Sequence, residues 1–334
     1  MKVLFFGTRG YDKKSFSAEL PNYPDVQVDF TEVNLTPTTA ALAKGYDAVC
    51  AFVNADVSAM TLEILRGLGV GLVLMRCAGF DAVNVDFAKS IGMKVTRVPA
   101  YSPEAIAEHA IALALCANRH IHKAYIRVRE NDFSLDGLVG HTLHGKTAGI
   151  IGTGRIGAAL ARICKGFGMT VLGADLYPNQ KLVDDGVIDK YVDYDTIYEQ
   201  SDLISLHAFL NEESYHLVND DTIAKMKDGV ILINTARGGL VDIEALIRGI
   251  RSGKIGAAGL DVYEGENANV YQNREDQILG HSITARLCSF PNVVLTSHQA
   301  FFTYEALQQI AQVTLDNAER YAKGEEFSDR SVVC

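Results

Sequence analysis

Two doubly wound α/β domains, each built on a parallel sheet, are what the sequence predicts, and three observations carry that prediction. Short apolar runs alternate with helix-like segments along most of the 334 residues, the rhythm of βαβ units and of a sheet covered on both faces. The length itself favours two domains over one. One stretch, KTAGIIGTGRIGAALARICKGFGMTVLGAD at residues 146–175, reads as strand, tight turn, helix and second strand. It closes on an acidic residue roughly 20 positions beyond its glycines.

In that stretch an apolar run at 148–151 leads into GTGRIG, with glycines at 152, 154 and 157. A small-and-apolar segment over 156–167 follows, then a second apolar run over 169–174 that ends in Asp175. Each residue type has a physical task. Gly152 permits the turn, Gly154 lets a pyrophosphate approach the backbone, and Gly157 lets the helix lie close to the strand. The helix N-terminus offers free N–H groups and partial positive charge to phosphates. Asp175 can accept both ribose hydroxyl protons, and Leu176 and Tyr177 follow it with no Arg to hold a 2′-phosphate. A plain βα turn without ligand is the simpler alternative. The agreement of strand, helix, second strand and Asp favours a dinucleotide, NAD(H) rather than NADP(H).

With 48% hydrophobic and 22% charged residues the chain can bury full cores. Its 31 basic and 41 acidic residues leave a net charge of −10, which invites neither nucleic acid nor an anionic membrane. No apolar run reaches the roughly 18 residues a membrane span needs. The opening MKVLFFG soon meets Arg9, Asp12, Lys13 and Lys14, so it reads as a first strand and not a signal peptide. Six scattered Cys without a CxxC fit reduced thiols in a cytoplasmic protein.

Taken in order, residues 2–6, 26–30, 48–53, 72–75 and 94–98 read as strands, and 38–44, 60–68 and 86–90 as helical pieces. GTRG at 7–10 reads as a turn only. RCAGFDAVNVD (76–86) follows a strand end, where Cys77, Ala78 and Gly79 are small enough for their N–H groups to face a carboxylate. From Ser102, an N-cap followed by Pro103, the positions Ile106, Ala110, Leu113, Ala117 and Ile121 recur at helical spacing. They predict one long Ala-rich helix to about residue 130, packed between domains or subunits. His120 and His122 cannot share a helical face, which argues against a metal site, and His109 reads as structural. Beyond Asp175 the rhythm resumes with runs at 203–207, 230–234, 255–260 and 293–295, a short helix at 220–227 and a last helix at 304–323. Domains are expected at 1–100 with 299–334, and at 101–298.

Three segments each end a strand and then present a reactive group. NTARGGLVD presents Arg237, LDVYEGE presents Asp261 and Glu266, and VVLTSHQAFF presents His298. In a doubly wound sheet such ends converge on one crevice. Singly each has a plainer reading: a surface ion pair for Arg237, a charged loop for Glu266, a cap for His298. Together they suit hydride transfer. An Arg grips a carboxylate with two parallel N–H bonds. A His exchanges an alcohol proton near neutral pH, and a neighbouring carboxylate fixes its orientation. The hydride itself belongs to a nicotinamide.

The motifs YDKKSF, AVCAFVN, RCAGFDAVNVD, RVPAYSPEAIAEHA, NDFSLDGLVG, HGKTAGIIGTGRIG, NTARGGLVD, LDVYEGE and SHQAFFTYEAL run nearly end to end. Through them the chain resembles the D-isomer-specific 2-hydroxyacid dehydrogenases, and within that family the NAD-dependent D-lactate dehydrogenases of fermenting bacteria. The resemblance implies a Rossmann NAD-binding domain inserted in a flavodoxin-like substrate domain. It implies Arg237 as substrate anchor and carbonyl polariser, His298 as general acid/base, and Glu266 as its partner. Asp175 would bind the adenosine ribose, and Arg155 and Ile156 would sit over the pyrophosphate beside Gly152, Gly154 and Gly157. Ala208, Phe209, Ser214, Thr235, Ala236 and Asp261 would complete the cofactor site.

Phe52, Cys77, Ala78, Gly79, Tyr101 and Phe301 would line the substrate pocket. Phe52 would limit its size, because lactate-specific relatives carry a bulky aromatic there. The expected reaction is reversible, NADH-dependent reduction of pyruvate to D-lactate, by a cytoplasmic homodimer or homotetramer without a metal. Two alternatives stay open: a dehydrogenase of larger 2-oxoacids, and an NAD-sensing protein like the carboxy-terminal-binding corepressors, whose long tails this chain does not show. Two departures from the family pattern stand out. LHAFLNEES replaces the usual LHxPLTxEN, so Phe209 stands for a proline and Ser214 for an asparagine, and the segment 265–287 is unlike the usual form.

Overall fold

The computed structural model describes residues 1–266, 269–280 and 282–334. Residues 267, 268 and 281 of the divergent 265–287 segment therefore lie outside the described part. The chain forms two compact units, Met1–Ser102 with Phe301–Cys334, and Pro103–Ala300.

In the first unit the strands are β1 (Lys2–Phe5), β2 (Gln27–Phe30), β3 (Ala48–Ala51), β4 (Leu72–Met75) and β5 (Lys94–Arg97). They pair in parallel in the order β2-β1-β3-β4-β5, the doubly wound order of flavodoxin-like sheets. Every position of β3 and β4 is buried, as unbroken apolar runs require when helices cover both faces. Helices α1 (Gly10–Glu19), α2 (Ala59–Gly67) and α3 (Val85–Ser90) connect them. The helical piece expected at 38–44 is only a 3₁₀ turn, Ala40–Ala43. Helix α1 escapes sequence reading because it has no apolar stripe; its buried residues are Asp12, Phe16 and Glu19.

The second unit opens with α4 (Pro103–Asn118) and α5 (Ile121–Arg129). The single long helix expected here is therefore two. Asn118 ends the first, its Nδ2 donating to the His141 carbonyl at 2.8 Å and its Oδ1 accepting from the His141 N–H at 3.0 Å. His120 then takes the left-handed conformation, φ 51°, which no helix can propagate. Next come β6 (Thr147–Ile151), α6 (Arg155–Gly166), β7 (Thr170–Ala174), α7 (Gln180–Asp184), β8 (Lys190–Tyr191), α8 (Tyr194–Gln200) and β9 (Leu203–Leu206). After them stand α9 (Asp220–Lys225), β10 (Val230–Asn234), α10 (Ile243–Ser252), β11 (Ile255–Leu260), α11 (Ser282–Ser289) and β12 (Val293–Leu295). The seven strands run parallel in the order β12-β11-β10-β9-β6-β7-β8, the dinucleotide-binding order with one strand added. Helix α10 buries Ile243, Leu246, Ile247 and Ile250 on one face, a 3.6-period signal the sequence reading passed over. The last helix, α12 (Tyr304–Lys323), returns to the first unit and packs on α1 and β4.

Candidate active site

Because the strands of the second unit are parallel, their C-terminal ends share one edge of the sheet. Gly152 follows β6, Asp175 follows β7, Ala208 follows β9, Thr235 follows β10, Asp261 follows β11 and Thr296 follows β12. The glycine turn shows why each glycine is needed. Gly152 has φ 88°, and a Cβ there would lie 2.5 Å from the His207 carbonyl carbon and 2.6 Å from the Ala208 nitrogen. A Cβ on Gly157 would collide with the Gly152 carbonyl oxygen, whereas one on Gly154 meets nothing within 4 Å. The open space at Gly154 belongs to a groove of about 470 Å³ lined by Thr153, Arg155, Arg162 and Asn179 among others. Two guanidinium groups and the first turn of α6 thus face a space that suits a pyrophosphate. Ile156 is the second residue of that helix.

Asp175 lies one strand away. Its Oδ2 accepts from the Thr153 N–H at 2.6 Å and from the Thr153 hydroxyl at 3.0 Å, and its Oδ1 from the Tyr177 N–H at 2.9 Å. Thr153, unnoticed in the sequence although it is the second residue of the motif, orients the carboxylate. The Thr235 hydroxyl is buried with no hydrogen-bond partner, an orphan at the sheet edge that a bound nicotinamide group would satisfy. These features fit a dinucleotide along the edge.

Arg237 opens a 3₁₀ turn, Gly238–Leu240, beyond β10. Asn234 clamps the turn, its Nδ2 donating to the Arg237 carbonyl at 2.9 Å and its Oδ1 accepting from the Ala236 N–H at 3.0 Å. Arg237 Nη1 donates to the Ala236 carbonyl at 2.7 Å. The backbone at Gly238 lies so close to Tyr263 and Glu264 that no Cβ fits. This contact sets the Arg237 turn against the segment that carries Glu266.

His298 and Glu266 meet directly, Nδ1 to Oε1 at 2.8 Å, with side chains 17% and 14% exposed. His298 is held in the left-handed region, φ 51°, at a cost of about 1–2 kcal/mol for a residue with a Cβ. Its N–H donates to the Asp261 carbonyl at 2.8 Å, and its carbonyl accepts from the Tyr271 hydroxyl at 2.9 Å. Asp261 completes the arrangement. Only 1% exposed, it accepts from the Thr296 hydroxyl at 2.6 Å and from the Gln299 and Ala300 N–H groups, both at 2.8 Å. His109 Nε2 lies 3.1 Å from the Thr296 hydroxyl and 3.4 Å from Asp261. Burial would raise the Asp261 pKa, yet the bonds from His109, Thr296, Gln299 and Ala300 hold it below its ordinary value. The carboxylate is thus spent on the loop that carries His298. The structural reading of His109 fits this contact, whereas Thr296 carries no signal of its own in the sequence. The available signal was a His between the buried Ile106 and Ala110 on a helix packed against β11.

The departures from the family pattern are local. The Ser214 hydroxyl donates to the Phe209 carbonyl at 2.6 Å and accepts from the Asn211 N–H at 2.8 Å, which closes a loop that leaves Phe209 88% exposed. His207 sits beneath, its pKa pushed down to about 4 by burial and its Nε2 2.9 Å from the Ser205 hydroxyl. In the first unit, Phe52 packs edge-on to Phe301 with centroids 5.7 Å apart, and Phe301 to Tyr101 at 6.2 Å. The Cys77 thiol donates to the Gly79 carbonyl at 3.1 Å, and Arg97 Nη1 to the Ala78 carbonyl at 3.0 Å.

A doubly wound sheet in this strand order, with a glycine turn and an acidic strand end, defines a dinucleotide-binding protein of the Rossmann class. Comparison with known proteins narrows this. Residues 111–300 match the family model described as D-isomer specific 2-hydroxyacid dehydrogenase, NAD binding domain. The D-lactate dehydrogenase of Escherichia coli strain K12 is 46% identical over 325 residues, covering 97% of this chain and 98% of that one. Two solved structures are similar throughout. The pyruvate reductase of Chlamydomonas reinhardtii superposes with a TM-score of 0.91 at 39% identity over 98% of each chain. The NAD-complexed D-isomer specific 2-hydroxyacid dehydrogenase of Lactobacillus delbrueckii ssp. bulgaricus gives 0.80 at 30% over 100% of each. The chain belongs to the D-isomer specific 2-hydroxyacid dehydrogenases and is an NAD-dependent enzyme of that family.

Proposed function

We propose that the protein reduces pyruvate to D-lactate with NADH, and runs the reverse reaction when D-lactate and NAD⁺ are in excess. The observation that carries this reading is the His298–Glu266 contact at 2.8 Å on the sheet edge beyond β12. Arg237 anchors the substrate carboxylate through its planar fork. With Nδ1 engaged by Glu266, the Nε2 atom of His298 is the one that exchanges the proton. When bound, NADH would supply the hydride that the carbonyl carbon accepts. His298 Nε2–H gives its proton to the carbonyl oxygen, and solvent returns it. Glu266 keeps the ring oriented and offsets the charge of the protonated imidazole.

The preference for pyruvate over larger 2-oxoacids rests on Phe52, only 7% exposed and fixed edge-on to Phe301. An apolar pocket gains only about 1–3 kcal/mol from an extra methylene or two, so selectivity has to come from exclusion by bulk. NADH absorbance should fall on adding pyruvate, and chiral analysis should find D-lactate. Steady absorbance with pyruvate but loss with 2-oxoisocaproate would transfer the assignment to the larger-substrate dehydrogenases.

A homo-oligomer in the cytoplasm belongs to the same reading. Helix α5 buries none of its residues, and Ile121, Tyr125, Ile126 and Val128 are each half or more exposed, as are Phe133, Leu135 and Val139. Apolar surface on this scale favours association with a second copy. Sedimentation of the purified protein should show a dimer or tetramer, and Tyr125→Glu should shift it toward monomer. No described helix is long and apolar enough to cross a membrane.

A further inference from the structure

Two motifs that carry the family likeness, YDKKSF and RCAGF, take no part in the cofactor turn or in the acid–base pair. The fold brings them together. Asp12 lies in the first turn of α1 and Arg76 directly after β4. Their side chains form an ion pair, Nε to Oδ1 at 3.1 Å, with the guanidinium 1% and the carboxylate 6% exposed. Arg76 Nη1 donates to the Phe6 carbonyl at 2.9 Å and Nη2 to the Gly7 carbonyl at 3.0 Å. The second Asp12 oxygen accepts from the Arg9 N–H at 2.8 Å. Each nitrogen of the guanidinium thus donates to a partner. Its Cζ lies over the Phe52 ring, 4.8 Å from the centroid.

A buried ion pair is a weak device for stability alone, because well-packed apolar residues of equal volume do as well or better. What an apolar residue cannot supply is a planar cation fixed in orientation, on which an aromatic ring will seat. Phe52 is held on two sides, by that cation and by the edge of Phe301. We propose that Arg76 and Asp12 are positioning residues for substrate selection: the pinned guanidinium holds the Phe52 ring where it limits the length of the 2-oxoacid. This rests on the reading of Phe52 given above.

The test is a double-mutant cycle on the full-length enzyme. The quantity measured is the ratio of kcat/KM for 2-oxoisocaproate to kcat/KM for pyruvate. It is determined for wild type, Arg76→Lys, Phe52→Leu and the combination. Arg76→Lys keeps the charge and loses the fork. It should raise the ratio about fivefold, the lower part of the range for a cation–π contact because the Lys ammonium keeps some of the attraction, and should add nothing once Phe52→Leu is present. Asp12→Asn leaves a neutral acceptor for Nε and should shift the ratio the same way by a smaller factor; it carries the cycle if Arg76→Lys does not fold. An equal loss for both substrates, with the ratio unchanged, overturns the proposal and leaves the pair a fold-stabilising one. A ratio that rises as much in the Phe52→Leu background also overturns it, since Arg76 would then act elsewhere. If Phe52→Leu alone leaves the ratio unchanged, the Phe52 reading falls and the positioning role with it. A responsive Phe52→Leu beside an unresponsive Arg76→Lys removes only the positioning role.

Discussion

Replacing Asp261 with Asn separates two roles for one buried carboxylate. Its oxygens accept from the Thr296 hydroxyl, the Gln299 N–H and the Ala300 N–H, with His109 also within ion-pair distance. An Asn has one accepting oxygen and one donating nitrogen, so its NH₂ must face at least one of those N–H groups. The change forfeits one charge-assisted bond of about 1.5–3 kcal/mol and leaves a buried donor unsatisfied at about 1–3 kcal/mol. Together these give about 2.5–6 kcal/mol, which for a unit of this size lowers Tm by about 5–24 °C. The loop from Thr296 to Ala300 carries His298, and a displacement of ~1 Å in a catalytic group can cost about 100-fold. Thermal unfolding followed by circular dichroism should show the drop. Steady-state kinetics should show kcat reduced by about 10- to 100-fold with KM for NADH little changed. An unaltered Tm and kcat, with KM for NADH raised, would refute this reasoning and return Asp261 to the cofactor. The pH dependence has a definite sign. Asp261 is depressed below its unfolded value, so its contribution is full above about pH 4 and is lost as pH falls through the lower folded value. Acid unfolding below about pH 4 should therefore be steeper in wild type than in Asp261→Asn.

Three further outcomes are expected. Arg237→Lys keeps the charge but loses the planar fork, so kcat/KM for pyruvate should fall by about 100-fold or more; near-normal activity would remove Arg237 from carboxylate binding. Asp175→Ala removes the acceptor of the ribose hydroxyls and a like charge against a 2′-phosphate, so the kcat/KM ratio of NADPH to NADH should rise by about tenfold or more. An unchanged ratio would show that Asp175 serves only Thr153 and Tyr177. Gly152→Ala and Gly154→Ala should separate folding from binding. The first drives a Cβ into the His207–Ala208 backbone at positive φ and should cost about 3 kcal/mol in urea unfolding. The second meets open space and should leave stability within about 1 kcal/mol while weakening NADH binding measured by fluorescence.

Much of this protein was legible in one dimension because it depends on local periodicity and residue type. Apolar runs such as VILIN at β10 and LVLM at β4 read as covered parallel strands wherever they stand, and GTGRIG announces its own turn through the geometry that only glycine permits. The groups beyond β10, β11 and β12 could be named as candidates because strand ends in such folds face a common edge. Contacts between distant segments were not legible. Nothing local in Asp261 tells that its oxygens are taken by Thr296, Gln299 and Ala300; that follows from the pairing of β11 with β12 and the path of the chain after it. The break between α4 and α5 depends on Asn118 meeting His141, 23 residues away, while the apolar spacing continues through it. Helix α1 has no apolar stripe to reveal it, because a buried carboxylate, Asp12, lies where an apolar side chain would normally pack, and its partner Arg76 is 64 residues further on. Local sequence specifies which backbone shape a segment prefers. The burial of a charge, or the strain held at His298 by groups from two other segments, is specified only when the strands have paired and brought the partners into reach.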